Sequence, residues 1–252
     1  MNRNGFSLVE LMVALLLGSL IAIAATQLFL VNRQADNLQQ GLSAVQDQGR
    51  FIFDFLSRDL MQAGHDPLEA VQPFIFTGHG GQVSVDGDRD DTLVLQVNGG
   101  IDCLGNGSFT GIKKYHVQRN GSNGSLLCTE YEDAAGTWTA KYGNSESLID
   151  NVEGFQVLYG LDYQSLGATG FGQADAYVPA ALADEATQRI VSVRFAVLLA
   201  SDRRVGFDSA RAPASYTLLD RAIGEDQGVD PGDGRLYRVY TSTVALRNQL
   251  EE

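Results

Sequence analysis

The sequence predicts an α+β protein: one long N-terminal α-helix, membrane-spanning in its first half, packed on an antiparallel β-sheet head with long loops. Three observations predict it. Leu11 to Val31 carries no charged residue. From Asn32 to Gly64 apolar residues recur at spacings of three and four, the period of a helix with one buried face. Beyond Pro67 they fall instead in short β-branched and aromatic runs separated by Gly, Asn and Asp.

The first element is the apolar run. Leu11 to Val31 is 21 residues long, and a helix needs about 20 to cross a bilayer. A cleaved secretory signal has an apolar region of about 7–15 residues and a small-residue cleavage site after it; this run is too long and has no such site. Arg3 and the α-amine precede it, so the positive-inside tendency keeps the N-terminus in the cytoplasm and sends the remainder across the membrane. The rest of the chain is polar and glycine-rich, with 28 Gly and only 5 Pro, and the net charge of −13 excludes a nucleic-acid partner, which needs clustered Lys and Arg. A simple signal anchor leaves Glu10 unexplained. A carboxylate at mid-bilayer costs roughly 2.5–3.5 kcal/mol. The partial positive charge of a first helical turn lowers that cost, so a tolerated first-turn acid is one reading.

The residues before Glu10 offer another. Gly5-Phe6-Ser7-Leu8-Val9-Glu10 resembles the prepilin signature, a short basic leader ending in Gly, then Phe, then Glu at the fifth position of the apolar segment. The resemblance implies that a prepilin peptidase cuts between Gly5 and Phe6 and methylates the new Phe6 amine. It also implies that Glu10 pairs with the Phe6 amine of a neighbouring subunit as helices bundle. Buried charges are favourable only when paired, so assembly relieves the penalty that Glu10 otherwise carries. The segments are then 1–5, leader; 6–31, transmembrane and filament-core helix; 32–64, amphipathic continuation; and 65–252, β-rich head.

In the continuation, Leu38, Leu42 and Val45 lie on one stripe, and Ile52, Phe55, Leu56, Asp59, Leu60 and Ala63 extend it, with Asp54, Arg58 and Gln62 off that face. Gly64 suits a helix stop and Pro67 prevents continuation. A helix from Phe6 to Ala63 spans about 85 Å, with Gly41 and Gly49 as candidate bends. Phe51, Phe53 and Phe55 are expected to pack in the core instead of forming a ligand box. Strands are expected at 81–85, 92–97, 114–118, 125–131, 136–142, 154–163, 189–200 and 236–246, with long loops at 164–188 and 201–235. Asn-Gly pairs in 119–125 signal a hairpin, and the Asn106, Asn120 and Asn123 sequons read as turns.

The order of motifs over nearly the whole chain resembles the PilW family of minor pilins. The carrying stretches are GRFIFDFLSRDLMQAG (49–64), DDTLVLQ (90–96), SLIDNVEGFQVLYGLD (147–162), IVSVRFAVLLASD (190–202) and VYTSTVALRNQ (239–249). The resemblance implies a low-abundance subunit that helps initiate a type IV pilus in a tip complex. Its implied partners are other minor pilins, the major pilin, an adhesin-like tip protein, the prepilin peptidase and the inner-membrane assembly platform. It implies a single-pass inner-membrane location with a periplasmic head, then the pilus. A J-type pseudopilin of type II secretion shares the plan, and a signal-anchored binding domain is the alternative from another class.

Cys103 and Cys128 fall on the exported, oxidising side, where one disulfide is the default. No C-x-x-C is present and His65, His79 and His116 are scattered, so neither a redox pair nor a metal site is supported. Asp86, Asp88 and Asp90 occupy positions 1, 3 and 5 of an EF-hand-like loop, but position 6 is Asp91 and position 12 is Val97. Calcium is therefore a weak candidate there against a solvated acidic turn, and again at 224–234; no other cofactor is expected. No G-x-S-x-G, P-loop or H-E-x-x-H occurs, and Gly170-Phe-Gly172 lacks a third glycine. The expectation is a protein without enzymatic activity.

Overall fold

The structure, a computed structural model, describes residues 7–65, 72–121, 123–141, 145–165, 167–183, 189–205 and 213–246. Gly5, Phe6 and Pro67 lie outside them.

One helix, α1 (Leu8–Gln62), runs for 55 residues, about 83 Å. From Leu8 to Asn37 it is exposed all round, and burial begins only at Leu38. The buried stripe then follows the sequence period. Ile52, Phe55, Leu56, Asp59, Leu60 and Ala63 all face the core. Gly64 ends the helix at φ +70°, where a glycine costs least, and its N–H donates to the Gln96 carbonyl at 3.0 Å. The three phenylalanines differ in burial. Phe55 is buried and Phe53 packs partly buried against Phe195 and Tyr240, but Phe51 is 46% exposed. Phe51 and Phe55, four residues apart, share a face with ring centroids 5.7 Å apart, whereas Phe53 lies about 200° round the helix from each; Phe51 sits at the exposed edge of that face and is not a core residue.

The strands are β1 (Leu93–Ile101), β2 (Ser108–Asn120), β3 (Asn123–Ala134), β4 (Thr137–Ala140), β5 (Glu146–Ile149), β6 (Val152–Asp162), β7 (Ala176–Val178), β8 (Arg189–Arg204), β9 (Ser215–Leu218), β10 (Arg221–Gly224) and β11 (Arg235–Ala245). The first sheet runs β1-β2-β3-β4, with β5 pairing the start of the same β3 edge; the second runs β11-β8-β6-β7, and all pairs are antiparallel. The expected hairpin forms, with Asn120 opposite Asn123 and Gly121 at φ +66°. The second half of α1 packs on β8 and β11 of one sheet and on β1 of the other.

Three expectations change. Residues 81–85 are not a strand. Gly78, Gly80 and Gly81 all take positive φ and break the extended run, leaving an isolated bridge from Val85 to Thr92. The stretch 201–235 is not a long loop, because β8 extends to Arg204 and β9 and β10 form a hairpin. That hairpin brings Leu218 and Ile223 over Ala196, Leu198 and Ala200, the face of β8 turned away from α1. Cover on both faces explains the nearly unbroken apolar run of β8, and β6 is likewise buried along its whole length. The segment 164–188 also holds a short strand, β7, on the edge of β6.

Gly41 and Gly49 do not interrupt α1. They let it approach the head. A Cβ at Gly49 would lie 2.6 Å from the Tyr240 ring, and one at Gly41 would lie 2.9 Å from Val205 Cγ1. Helix propensity alone favours Ala over Gly by about 0.5–1 kcal/mol, whereas overpacking costs about 1–3 kcal/mol. Gly49→Ala is therefore expected to lower the thermal unfolding midpoint of the head. Gly18→Ala, which meets nothing within 4 Å, is expected to leave it unchanged.

Candidate functional site

The exposed half of α1 is built for an apolar surrounding. It is the single helix among the described residues long and apolar enough to cross a membrane. Its hydroxyls bond to the helix itself: Ser19 Oγ donates to Leu16 O and Thr26 Oγ1 to Ala22 O, both at 2.8 Å. Hydrocarbon offers such groups no partner, so internal satisfaction is what the environment requires. At the N-terminal end Glu10 turns back on the first turn, its Oε2 accepting from the Ser7 N–H at 3.2 Å. The helix end carries partial positive charge that favours a carboxylate there. Gly5 and Phe6, the expected processing residues, fall outside the described residues.

At the other end of the rod, Asp59 is fully buried in the apolar stripe. Lys113 Nζ of β2 meets its Oδ2 at 2.6 Å, and the two side chains are 1% and 0% exposed. Tyr115 Oη donates to the same Oδ2, and Lys113 also donates to Ile101 O. The helix is thus tied to the first sheet by a charge pair without water. The acid at a core position was visible in the sequence; its partners, 54 and 56 residues away, were not.

A second buried carboxylate gathers the opposite side of the head. Glu153 of β6 faces Arg89 at 2.6 Å, Arg235 at 2.8 Å and Arg119 at 3.9 Å. Arg119 also pairs with Asp90 at 2.7 Å, and Arg235 with Asp233. Arg89 donates further to Glu153 O and to Gln227 O. One side chain therefore joins the 85–92 loop, β2, β6, β11 and the turn after β10.

The acidic loop is drawn into this network. Asp90 pairs bidentately with Arg119, Asp86 lies on Arg221 at 3.0 Å, and Asp88 is 92% exposed at 3.5 Å from the same Arg221. The three face two different arginines, and no group of three potential ligands able to hold a metal ion occurs among the described residues. In 224–234, Asp233 is held by Arg235 and Tyr237. Asp91 is the acid that sequence reasoning passed over. It lies buried, with Gly87 N–H at 2.8 Å on one oxygen and Val157 N–H at 2.7 Å on the other. Burial pushes its carboxyl up to about 7, against the pull of those two N–H groups.

Cys103 and Cys128 form the disulfide, with Cα atoms 5.9 Å apart, joining the β1–β2 connection to β3. In the chain-entropy account, closing a loop of 25 residues contributes about 3.5 kcal/mol. Beside it the Cys103 N–H donates to Glu130 Oε1 at 2.7 Å. Burial raises the Glu130 carboxyl above its ordinary range. These ties chiefly hold elements together, and the large unpartnered surface is the first half of α1.

The family model described as type IV pilus-assembly protein W matches residues 114–248, more than half of the chain. The prokaryotic N-terminal methylation motif matches residues 1–26. No curated protein is significantly similar to the chain. Among solved structures, a type IV-like pilin from Thermus thermophilus aligns with 87% of this chain and 100% of its own, at 14% identity and a TM-score of 0.38.

Two outcomes are expected from the buried acids. Glu153→Gln removes the shared carboxylate from three arginines. Losing one partner of a buried pair costs about 3–5 kcal/mol, and Asp90 and Asp233 still hold two of the three. A denaturant titration should show a loss near the lower bound. For Asp91, a folded-state pKa above the unfolded value of about 3.9 means stability that is full at low pH and lost as pH rises through about 7. Wild type is therefore expected to lose stability relative to Asp91→Asn between about pH 4 and 7; a constant gap would contradict the shift.

Proposed function

The chain belongs to the type IV pilus-assembly protein W family of pilin-like minor pilins, and we propose that it helps initiate a pilus from within a tip complex, acting by assembly and not by catalysis. The observation that carries the reading is the state of α1. A rod exposed from Leu8 to Asn37, apolar and internally satisfied, suits lipid before assembly and other helices after it. Each large apolar side chain moved from water contributes about 1.5–3 kcal/mol, so no soluble resting state would leave this length bare.

In this reading the peptidase frees the Phe6 amine and methylates it. Glu10 leaves its own first turn to meet the amine of the neighbouring subunit, an exchange of one weak partner for a full opposite charge in a dry bundle. The head remains on the periplasmic side until the subunit enters the filament. There it adjoins other minor pilins, the major pilin and an adhesin-like tip protein, delivered through the inner-membrane platform.

Glu10→Val tests this. The variant is expected to insert, to begin at a methylated Phe6 by mass spectrometry, and to lose in-cell cross-links to neighbouring pilins together with surface pili. Normal co-assembly of Glu10→Val would refute the charge pairing. Deletion of the whole chain with unchanged pilus number would refute a role in initiation.

A further inference from the structure

We propose that Asp59 and Lys113 join in an intramolecular isopeptide bond that fixes α1 covalently to β2. The geometry is that of a reactant pair held in place. The Lys113 nitrogen lies 2.6 Å from Asp59 Oδ2, and neither side chain is accessible to water. The ion pair holds the nitrogen beside the carboxyl group it would attack at Cγ, and groups fixed side by side gain a large advantage over their free counterparts, while a dry site removes the hydrolytic competitor. Tyr115 Oη, donating to the same carboxyl oxygen, stands where negative charge develops when nitrogen adds to the carbonyl carbon. Ile101 O holds one of the Lys113 protons and orients the nitrogen.

A proton carrier is also present. Glu130 lies directly opposite Lys113 in the β2–β3 register, and adjacent antiparallel partners project to the same face. Its Oε1 is engaged by the Cys103 N–H. Its Oε2 is buried and has no hydrogen-bond partner among the described residues. Burial holds its carboxyl above the ordinary range, which makes it a better proton acceptor than an exposed carboxylate.

The reaction balances without a co-reactant. One ammonium proton of Lys113 passes to the Asp59 carboxylate, giving an amine and an acid. The nitrogen lone pair adds to Asp59 Cγ, and Tyr115 stabilises the oxyanion. Glu130 takes the second nitrogen proton and returns it to the departing hydroxyl, which leaves as water. Ammonium plus carboxylate become amide plus water, with Glu130 and Tyr115 unchanged. The product replaces two buried charges by one neutral amide and so removes the desolvation penalty of the pair.

The test is the mass of the full-length protein purified from membranes, denatured and reduced. Wild type is expected to be lighter than its processed sequence by one water, and fragmentation should place the branch at Asp59 and Lys113. Asp59→Asn should be lighter by one ammonia, since an amide can also be displaced. Glu130→Gln and Lys113→Arg should keep the full mass, with cooperative thermal unfolding and the Cys103–Cys128 disulfide in a parallel unreduced sample showing that each variant folds. An unaltered wild-type mass overturns the proposal, whether or not any variant folds. So does a lost water that fragmentation assigns to an Asp-Gly pair such as Asp86-Gly87.

Discussion

The contact between α1 and the head has to hold a rod of about 83 Å by its second half alone, because the first half touches nothing in the monomer. Apolar packing supplies most of that grip, through Ile52, Leu56 and Leu60 against the two sheets. Packing by itself is non-directional, however, and a smooth stripe tolerates sliding. Two features fix the register. Gly49 leaves room for the Tyr240 ring, and Asp59 must find Lys113 and Tyr115. A displaced helix would place a bare carboxylate in a dry core, at a cost far above that of a few lost methyl contacts.

The head repeats the device on its far side. Glu153, Arg89, Arg119 and Arg235 come from four separate stretches of chain, and the acids that neutralise the outer arginines come from loops. Loops rich in Gly, Asp and Ala carry little apolar surface to anchor them. Charge pairing in a partly desolvated site supplies the order that apolar burial does not. The acidity of residues 85–92 and 224–234 therefore serves, in large part, the internal arginines.

How much of this was legible depended on range. The α1 stripe was readable because helical period is local, and the main strands because β-branched and aromatic runs bounded by Gly and Asn are local too. The disulfide followed from two cysteines and a compartment. The strands β5, β7, β9 and β10 have three or four residues each and no periodicity to report. They exist because tertiary cover needs them. The near-continuous apolar stretch of β8 was the available hint that something lay across its outer face. Asp59 broke the expectation for its buried stripe, which marked it as requiring a partner but could not say which, while Glu153, just ahead of the strand expected at 154–163, gave no such mark. Sequence separations of 34 to 82 residues decide the partners, through the fold.

The strand β11 completes three structures at once. It supplies Tyr240 to the helix groove at Gly49, Val244 to the main core and Arg235 to Glu153. It is also the most C-terminal strand among the described residues. A chain made from its N-terminus has the whole of α1 long before this segment is added. Until then the groove at Gly49 stays open and Glu153 lacks Arg235, the third of its arginines, so an interrupted product cannot close the head in this arrangement. Synthesis to the end of β11 is thereby built into folding as a condition.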